Sequence, residues 1–121
     1  MKLERIEIEL TVCKIADPAQ ADLDRPFTFL SRTDGELSLV CPTACVPADT
    51  LAREDGWRAI RVAGSMDFGL VGILANLAKV LADGGVPLFA ISTFDTDYIL
   101  VKAADHARAL ALLRDAGHEI A

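Results

Sequence analysis

Long apolar runs are missing from this sequence. Stretches free of charged and polar side chains, such as Phe68–Ala75, reach eight residues, whereas a membrane-spanning helix needs about 18. The opening MKLERIEIEL alternates apolar residues with charge and holds no apolar block of the kind a signal peptide carries. Positive charge is also short. Twelve Lys and Arg face eighteen Asp and Glu, a net charge of −6, and the basic residues are scattered. Nucleic-acid affinity comes from neutralised phosphates, so nucleic acid is not an expected partner. Cysteine is sparse at three, Cys13, Cys41 and Cys45. An odd count without a secretory signal reads as reduced structural thiols, and Cys41-x3-Cys45 lacks the second Cys or His pair that zinc requires. The two histidines, His106 and His118, stand in polar contexts and read as surface residues. No G-x-S-x-G, H-E-x-x-H or Walker phosphate loop occurs. What remains expected is a soluble cytoplasmic protein with no metal, no cofactor and no membrane segment.

At 121 residues, with 52% hydrophobic and 25% charged residues, the chain suits one ordinary domain or two very small ones on a shared core. Ile6, Ile8, Leu10 and Val12 alternate with Glu7, Glu9 and Thr11 as a half-buried strand does. Ala16 to Pro26 reads as loop. Phe27–Leu30 and Leu37–Val40 read as short strands joined across Thr33-Asp34-Gly35, since Asp and Gly tolerate positive φ. A short helix is expected from Pro47 to Arg53, broken by Glu54-Asp55-Gly56. The pattern then changes. Trp57–Ala63 reads as a strand. Leu70, Ile73, Leu74, Leu77, Ala78 and Leu81 form the stripe of a helix from about Gly69 to Ala82, capped by Asp67 and stopped by Gly84-Gly85. Val86–Ser92 is apolar on both faces, as a central strand is. Tyr98–Ala103 pairs with it across Phe94-Asp95. A second helix spans about Ala104 to Ala116, ended by Gly117, and His118–Ile120 opens a last strand. The order from Trp57 is β-α-β-β-α-β, the ferredoxin-like plan with helices on one face of an antiparallel sheet. The expected division is residues 1–56, a reduced and mostly β half, and residues 57–121, the complete unit. No repeat aligns between the halves at this level.

Candidate chemistry concentrates in two places. Gly64-Ser65-Met66-Asp67-Phe68-Gly69-Leu70-Val71-Gly72 leaves a strand and opens a helix, where free N–H groups attract an anion such as a carboxylate. Gly69 and Gly72 either admit a ligand or serve tight helix–sheet packing, and spacing alone leaves both open. Asp95 and Asp97 flank a hairpin turn. Asp95 reads mainly as a solvated turn residue, and Asp97, nearer the strand, is open between turn and ligand roles.

Beyond these readings, the stretch MDFGLVGILANLAKVLADGGVPLFAISTFDTDYILVKAAD resembles the core of an ACT domain, the small ligand-sensing module of amino-acid metabolism. I-S-T-F-D-T-D-Y-I-L-V is similar to the ACT pairs of the cytosolic arginine sensors of the TOR pathway and their small bacterial relatives. E-L-S-L-V-C-P and the following V-P resemble, more loosely, a shorter ACT-like half. The resemblance implies paired βαββαβ units, an amino acid held at their junction, a homo-oligomer, a regulated protein partner and no catalysis. It implies ligand contacts from Met66, Asp67, Phe68, Gly69, Leu70 and Val71 at the helix start, from Ile91, Ser92 and Thr93 at the strand end, and from Asp97 to a ligand ammonium. The N–H groups suit a carboxylate, and strand carbonyls with Asp97 suit an amine. The main functional expectation is a small regulatory protein binding an amino acid or related metabolite. The rivals are an assembly module that keeps the fold without a ligand and, more remotely, a small enzyme, for which the two aspartates are the available bases.

Overall fold

The computed structural model describes residues 1–63 and 72–121. In chain order the described residues form β1 (Lys2–Ile15), β2 (Phe29–Arg32), β3 (Leu37–Pro42), β4 (Ala52–Val62), α1 (Ile73–Asp83), β5 (Phe89–Ser92), β6 (Asp97–Lys102), α2 (His106–Asp115) and β7 (Glu119–Ile120). Single 3-10 turns lie at Pro18–Gln20, Thr43–Cys45 and Ala103–Asp105. The chain divides into two compact units, Met1–Glu7 with Arg58–Ala121, and Ile8–Trp57, so β1 and β4 each contribute to both.

In the first unit the strands run β7-β1-β4-β6-β5. β5 and β6 are antiparallel from Phe89↔Leu100 to Ser92↔Asp97, and β7 lies parallel to β1 through Lys2↔Glu119 and Leu3↔Ile120. The order β4-α1-β5-β6-α2-β7 is the expected β-α-β-β-α-β, with the start of β1 between the last strand and the first. Alternate strand residues Ile60, Val62, Ile99 and Val101 share one core with Leu77 and Leu81 of α1 and Ala109, Leu110 and Leu113 of α2. Side chains at i and i+4 lie on one helix face, and residues i and i+2 on one strand face, so the helices cover a single face of the sheet. Each such Leu or Ile contributes roughly 1.5–3 kcal/mol by burial.

Both helices stop where the sequence places paired or single glycine. Gly85 takes φ 75° while the Val86 N–H returns to the Leu81 carbonyl at 2.9 Å. Gly117, at φ 96°, does the same for α2, with the His118 N–H on the Leu113 carbonyl at 3.1 Å.

The second unit has the order β2-β3-β1-β4. β1 and β3 are antiparallel from Leu10↔Pro42 to Ile15↔Leu37. Its core is Cys13, Ile15, Leu37, Leu39 and Cys41, packed with Ala21, Leu30 and Val46. The first unit carries α1 between β4 and β5 and α2 after β6. Here the corresponding connections hold only the turns at Pro18–Gln20 and Thr43–Cys45, the first closed by Asp17 and Gln20 as a capping box.

A repeat that the bare sequence hides is plain in the structure. β2 and β5 open at Phe29 and Phe89, β3 and β6 at Leu37 and Asp97, and their following 3-10 turns at Thr43 and Ala103, each pair 60 positions apart. The turns match as well: the Thr33 N–H meets the Glu36 carbonyl at 2.9 Å, and the Thr93 N–H meets the Thr96 carbonyl at 2.8 Å.

Several local expectations need correction. Residues Pro47–Arg53 form no helix. The 3-10 turn comes earlier, at Thr43–Cys45, and β4 already starts at Ala52. A segment this short lacks an apolar stripe to stabilise a helix, whereas the Leu51 N–H finds the Lys14 carbonyl on β1 at 2.8 Å. Among the described strands β5 is an edge strand, not a central one, starting at Phe89 and half-buried rather than covered on both sides. Gly72 is not inside the helix. It precedes α1 at φ 81°, and a Cβ there would meet nothing within 4 Å, so conformation and not close packing requires glycine. The expected cap Asp67 and helix start Gly69 lie outside the described residues. None of the described helices is long and apolar enough to cross a membrane.

Candidate functional site

The hairpin joining β5 to β6 gathers four of the residues singled out in the sequence. Ser92 and Asp97 are directly opposite across the ladder. Asp97 is buried at 7% exposure, and the Ser92 hydroxyl donates to its Oδ1 at 2.6 Å. Among the described residues no Lys, Arg or His forms an ion pair with it. Thr93 ties the turn: its hydroxyl donates to the Thr96 carbonyl at 3.0 Å and accepts from the Thr96 N–H at 3.3 Å. Thr96 is buried, and its hydroxyl donates to the Val62 carbonyl at 2.9 Å, fixing the turn to the end of β4. Ile91 sits opposite Tyr98 and is half-buried. The remaining expected residues, Met66, Asp67, Phe68, Gly69, Leu70 and Val71, lie outside the described residues.

Beside the turn is a cavity of about 320 Å³. Glu4, Arg61 and Val62 line it from β1 and β4, and Thr93, Asp95, Thr96 and Tyr98 from the hairpin. Arg61 reaches Glu4 Oε1 through Nε at 3.3 Å and the Tyr98 hydroxyl through Nη1 at 3.4 Å, with its guanidinium carbon 5.8 Å from the Tyr98 ring centre. These contacts, first with Tyr98 and then with Glu4, raise its already high pKa. Thr93 belongs both to the expected set and to this lining. Asp95, expected to be a turn residue, is exposed on the turn and also lines the cavity.

The sequence matches the ACT domain over residues 52–115. A structurally determined protein from Agrobacterium tumefaciens is 32% identical, with 99% of this chain and 91% of that one aligned at a TM-score of 0.88. The chain belongs to the ACT domain family. A Vibrio cholerae protein of unknown function, described as a possible transport protein, shares the ACT fold at 20% identity and TM-score 0.72, over 92% of this chain and 85% of that one. The regulatory subunit of Thermus thermophilus aspartate kinase, in ligand-free form, shares it at 9% identity and TM-score 0.62, over 95% and 96%. A comparison with curated proteins finds no match.

Elsewhere the ACT chain offers little reactive chemistry among its described residues. Cys13 and Cys41 are buried and Cys45 is half-buried, all three free. Burial, then the neighbouring Cys13 and Cys45, pushes the Cys41 thiol up to about 11, so it stays protonated and inert at neutral pH. Both histidines are half-buried, not on the open surface as expected. His118 Nε2 lies 3.1 Å from Asn76 Oδ1.

Arg61, Glu4 and Tyr98 escaped the sequence reading. Arg61 alternates with Ile60 and Val62, so one signal was available: a charged residue on the face of β4 that the helices do not cover. Nothing local could announce Glu4, which meets Arg61 across 57 positions through strand pairing.

Proposed function

We propose that this ACT protein is a regulatory protein that binds an amino acid or a related small metabolite and passes the bound state to other proteins by contact, and that it is not an enzyme. The observation that carries the reading is Asp97. A buried carboxylate whose described partner is a neutral hydroxyl gains greatly from a cation supplied by a ligand. In this reading the ligand ammonium meets Asp97, with Ile91, Ser92 and Thr93 beside it. The ligand carboxylate meets the backbone N–H groups of Met66, Asp67, Phe68, Gly69, Leu70 and Val71. The similarity of I-S-T-F-D-T-D-Y-I-L-V to the cytosolic arginine sensors supports an amino acid as ligand. Three reduced thiols suit the cytoplasm.

The test is a thermal-shift screen of the twenty amino acids on the full chain. A ligand at about 100 times its dissociation constant adds roughly 2.7 kcal/mol, which raises the melting temperature by several degrees. Asp97→Asn removes the charge and keeps the shape, so the shift shrinks. Should no amino acid move the melting point at millimolar concentration, the assembly reading replaces this one.

The edge strand β5 favours a second element of the proposal, a homodimer. An edge strand is a template on which a second chain can add a strand, and light scattering in dilute solution checks it. A mass corresponding to one chain at every concentration removes the dimer from the proposal.

A further inference from the structure

We infer that the cavity beside the β5–β6 turn is a second binding site, and that it takes a small primary-amine cation. Its strand residues Glu4, Arg61 and Tyr98 lie on the sheet face opposite to Asp97. On β6, Ile99 and Val101 point into the core with the helices, so Asp97 shares their face while Tyr98 lies on the opposite one. On β4, Arg61 is likewise opposite to Ile60 and Val62, and on β1 Glu4 is opposite to Leu3. Asp97 and these cavity residues are therefore on opposite faces, and Thr93 of the turn is common to both proposals.

The class of ligand follows from which polar groups are already committed. Arg61 is held by Glu4, through Nε at 3.3 Å and Nη2 at 3.5 Å, and by the Tyr98 hydroxyl at 3.4 Å. The Thr93 hydroxyl gives its proton to the Thr96 carbonyl, and the Thr96 hydroxyl gives its own to Val62. The guanidinium charge is thus balanced by Glu4, and both threonine protons are spent inside the protein. The charge left over is negative. The Asp95 carboxylate has no hydrogen-bond or ion-pair partner among the described residues, and the Thr96 hydroxyl oxygen retains a lone pair.

Glu4 and Asp95 against Arg61 leave the cavity one negative charge in excess. A hollow of that sign, with the Asp95 carboxylate uncommitted at its turn, fits a positively charged donor, and an ammonium offers three N–H bonds. The volume of about 320 Å³ equals about ten waters of liquid at ~30 Å³ each, room for an amine of a few carbons.

The test is titration of the ¹⁵N-labelled full chain with ethanolamine and with 1,4-diaminobutane, beside N-acetylethanolamine and sodium acetate at matched ionic strength. The amines are expected to give saturable shifts of the Thr93, Asp95 and Thr96 amides, and the two controls none. Asp95 is exposed, so Asp95→Asn leaves the fold intact. It is expected to raise the dissociation constant about fivefold or more, the scale of one exposed charged contact. Asp97→Asn leaves these shifts unchanged, which separates this site from the amino-acid corner. An equal response to the acetylated compound, silence towards both amines, or an Asp95→Asn variant that binds as well as the parent would each overturn the assignment. None of these results bears on whether an amino acid binds at Asp97.

Discussion

Thr96 is a small residue with a large structural role. It is 6% exposed, and its hydroxyl supplies the Val62 carbonyl with a partner at 2.9 Å at the point where β4 ends. Thr96→Val keeps the shape of the side chain but leaves that carbonyl without this donor. The expected loss is about 1–3 kcal/mol, the cost of a buried polar group left unmade. Urea unfolding reads it directly, and an unchanged midpoint would mean that the carbonyl is satisfied some other way. Legibility at this scale follows sequence distance. Ser92, Thr93 and Asp97 fall within one tight hairpin, so local reading groups them correctly. Arg61 and Glu4 meet only after two strands have paired, and a period of two assigns a face without naming the neighbouring strand.

At the scale of elements, the glycines that end helices are the clearest positions to probe. Gly85 at φ 75° lies after α1, in a conformation that an L side chain resists. Gly85→Ala is expected to cost roughly 1–2 kcal/mol, seen as a lower urea midpoint with unchanged far-ultraviolet dichroism. A neutral result would show that the chain stops α1 equally well without the left-handed residue. The two stops at Gly84-Gly85 and Gly117 were readable because glycine has a specific backbone use there. The segment Pro47–Arg53 was misread for the opposite reason: a proline compatible with a helix start says nothing about a competing strand. β4 takes over from Ala52 because β1 offers partners such as the Lys14 carbonyl, and that competition is settled by tertiary pairing. β5 was misplaced to the sheet centre because an apolar run on both faces also suits a half-buried edge strand followed by a turn.

At the scale of the whole molecule, the 60-position spacing of β2 with β5 and β3 with β6 is a likeness between the halves that residue identity does not carry. β3 and β6 agree in burial as well as in place: in both, the first, third, fourth and fifth residues are buried and the second and sixth half-buried. The residues filling that pattern differ: Leu37, Leu39 and Cys41 in one, Asp97, Ile99 and Val101 in the other. Conserved periodicity with changed side chains is invisible to residue matching. The helices dominate the first unit and short turns serve the second, so composition diverges further.

Acid is expected to weaken the first unit through its two histidines. Burial lowers the His106 pKa below the ordinary 6.5, and the Arg58 guanidinium opposes its protonation further. Arg5 adds to that effect, and Glu7 works against it. Burial also lowers His118, helped by the N-terminal ammonium, while a backbone hydrogen bond to Met1 works the other way. Each imidazole is thus neutral in the fold at a pH where the unfolded chain has begun to bind a proton. Below about 6.5 the unfolded state holds more protons, so stability falls as the pH drops, and it is fully present above that value. The loss levels off only once the pH is below the folded values. Urea midpoints at pH 7.5 and 5.5 measure the fall. The double replacement His106→Asn with His118→Asn removes both titrations and is expected to flatten it between these two values. If the double variant loses as much stability on acidification as the parent, the histidines are not its source.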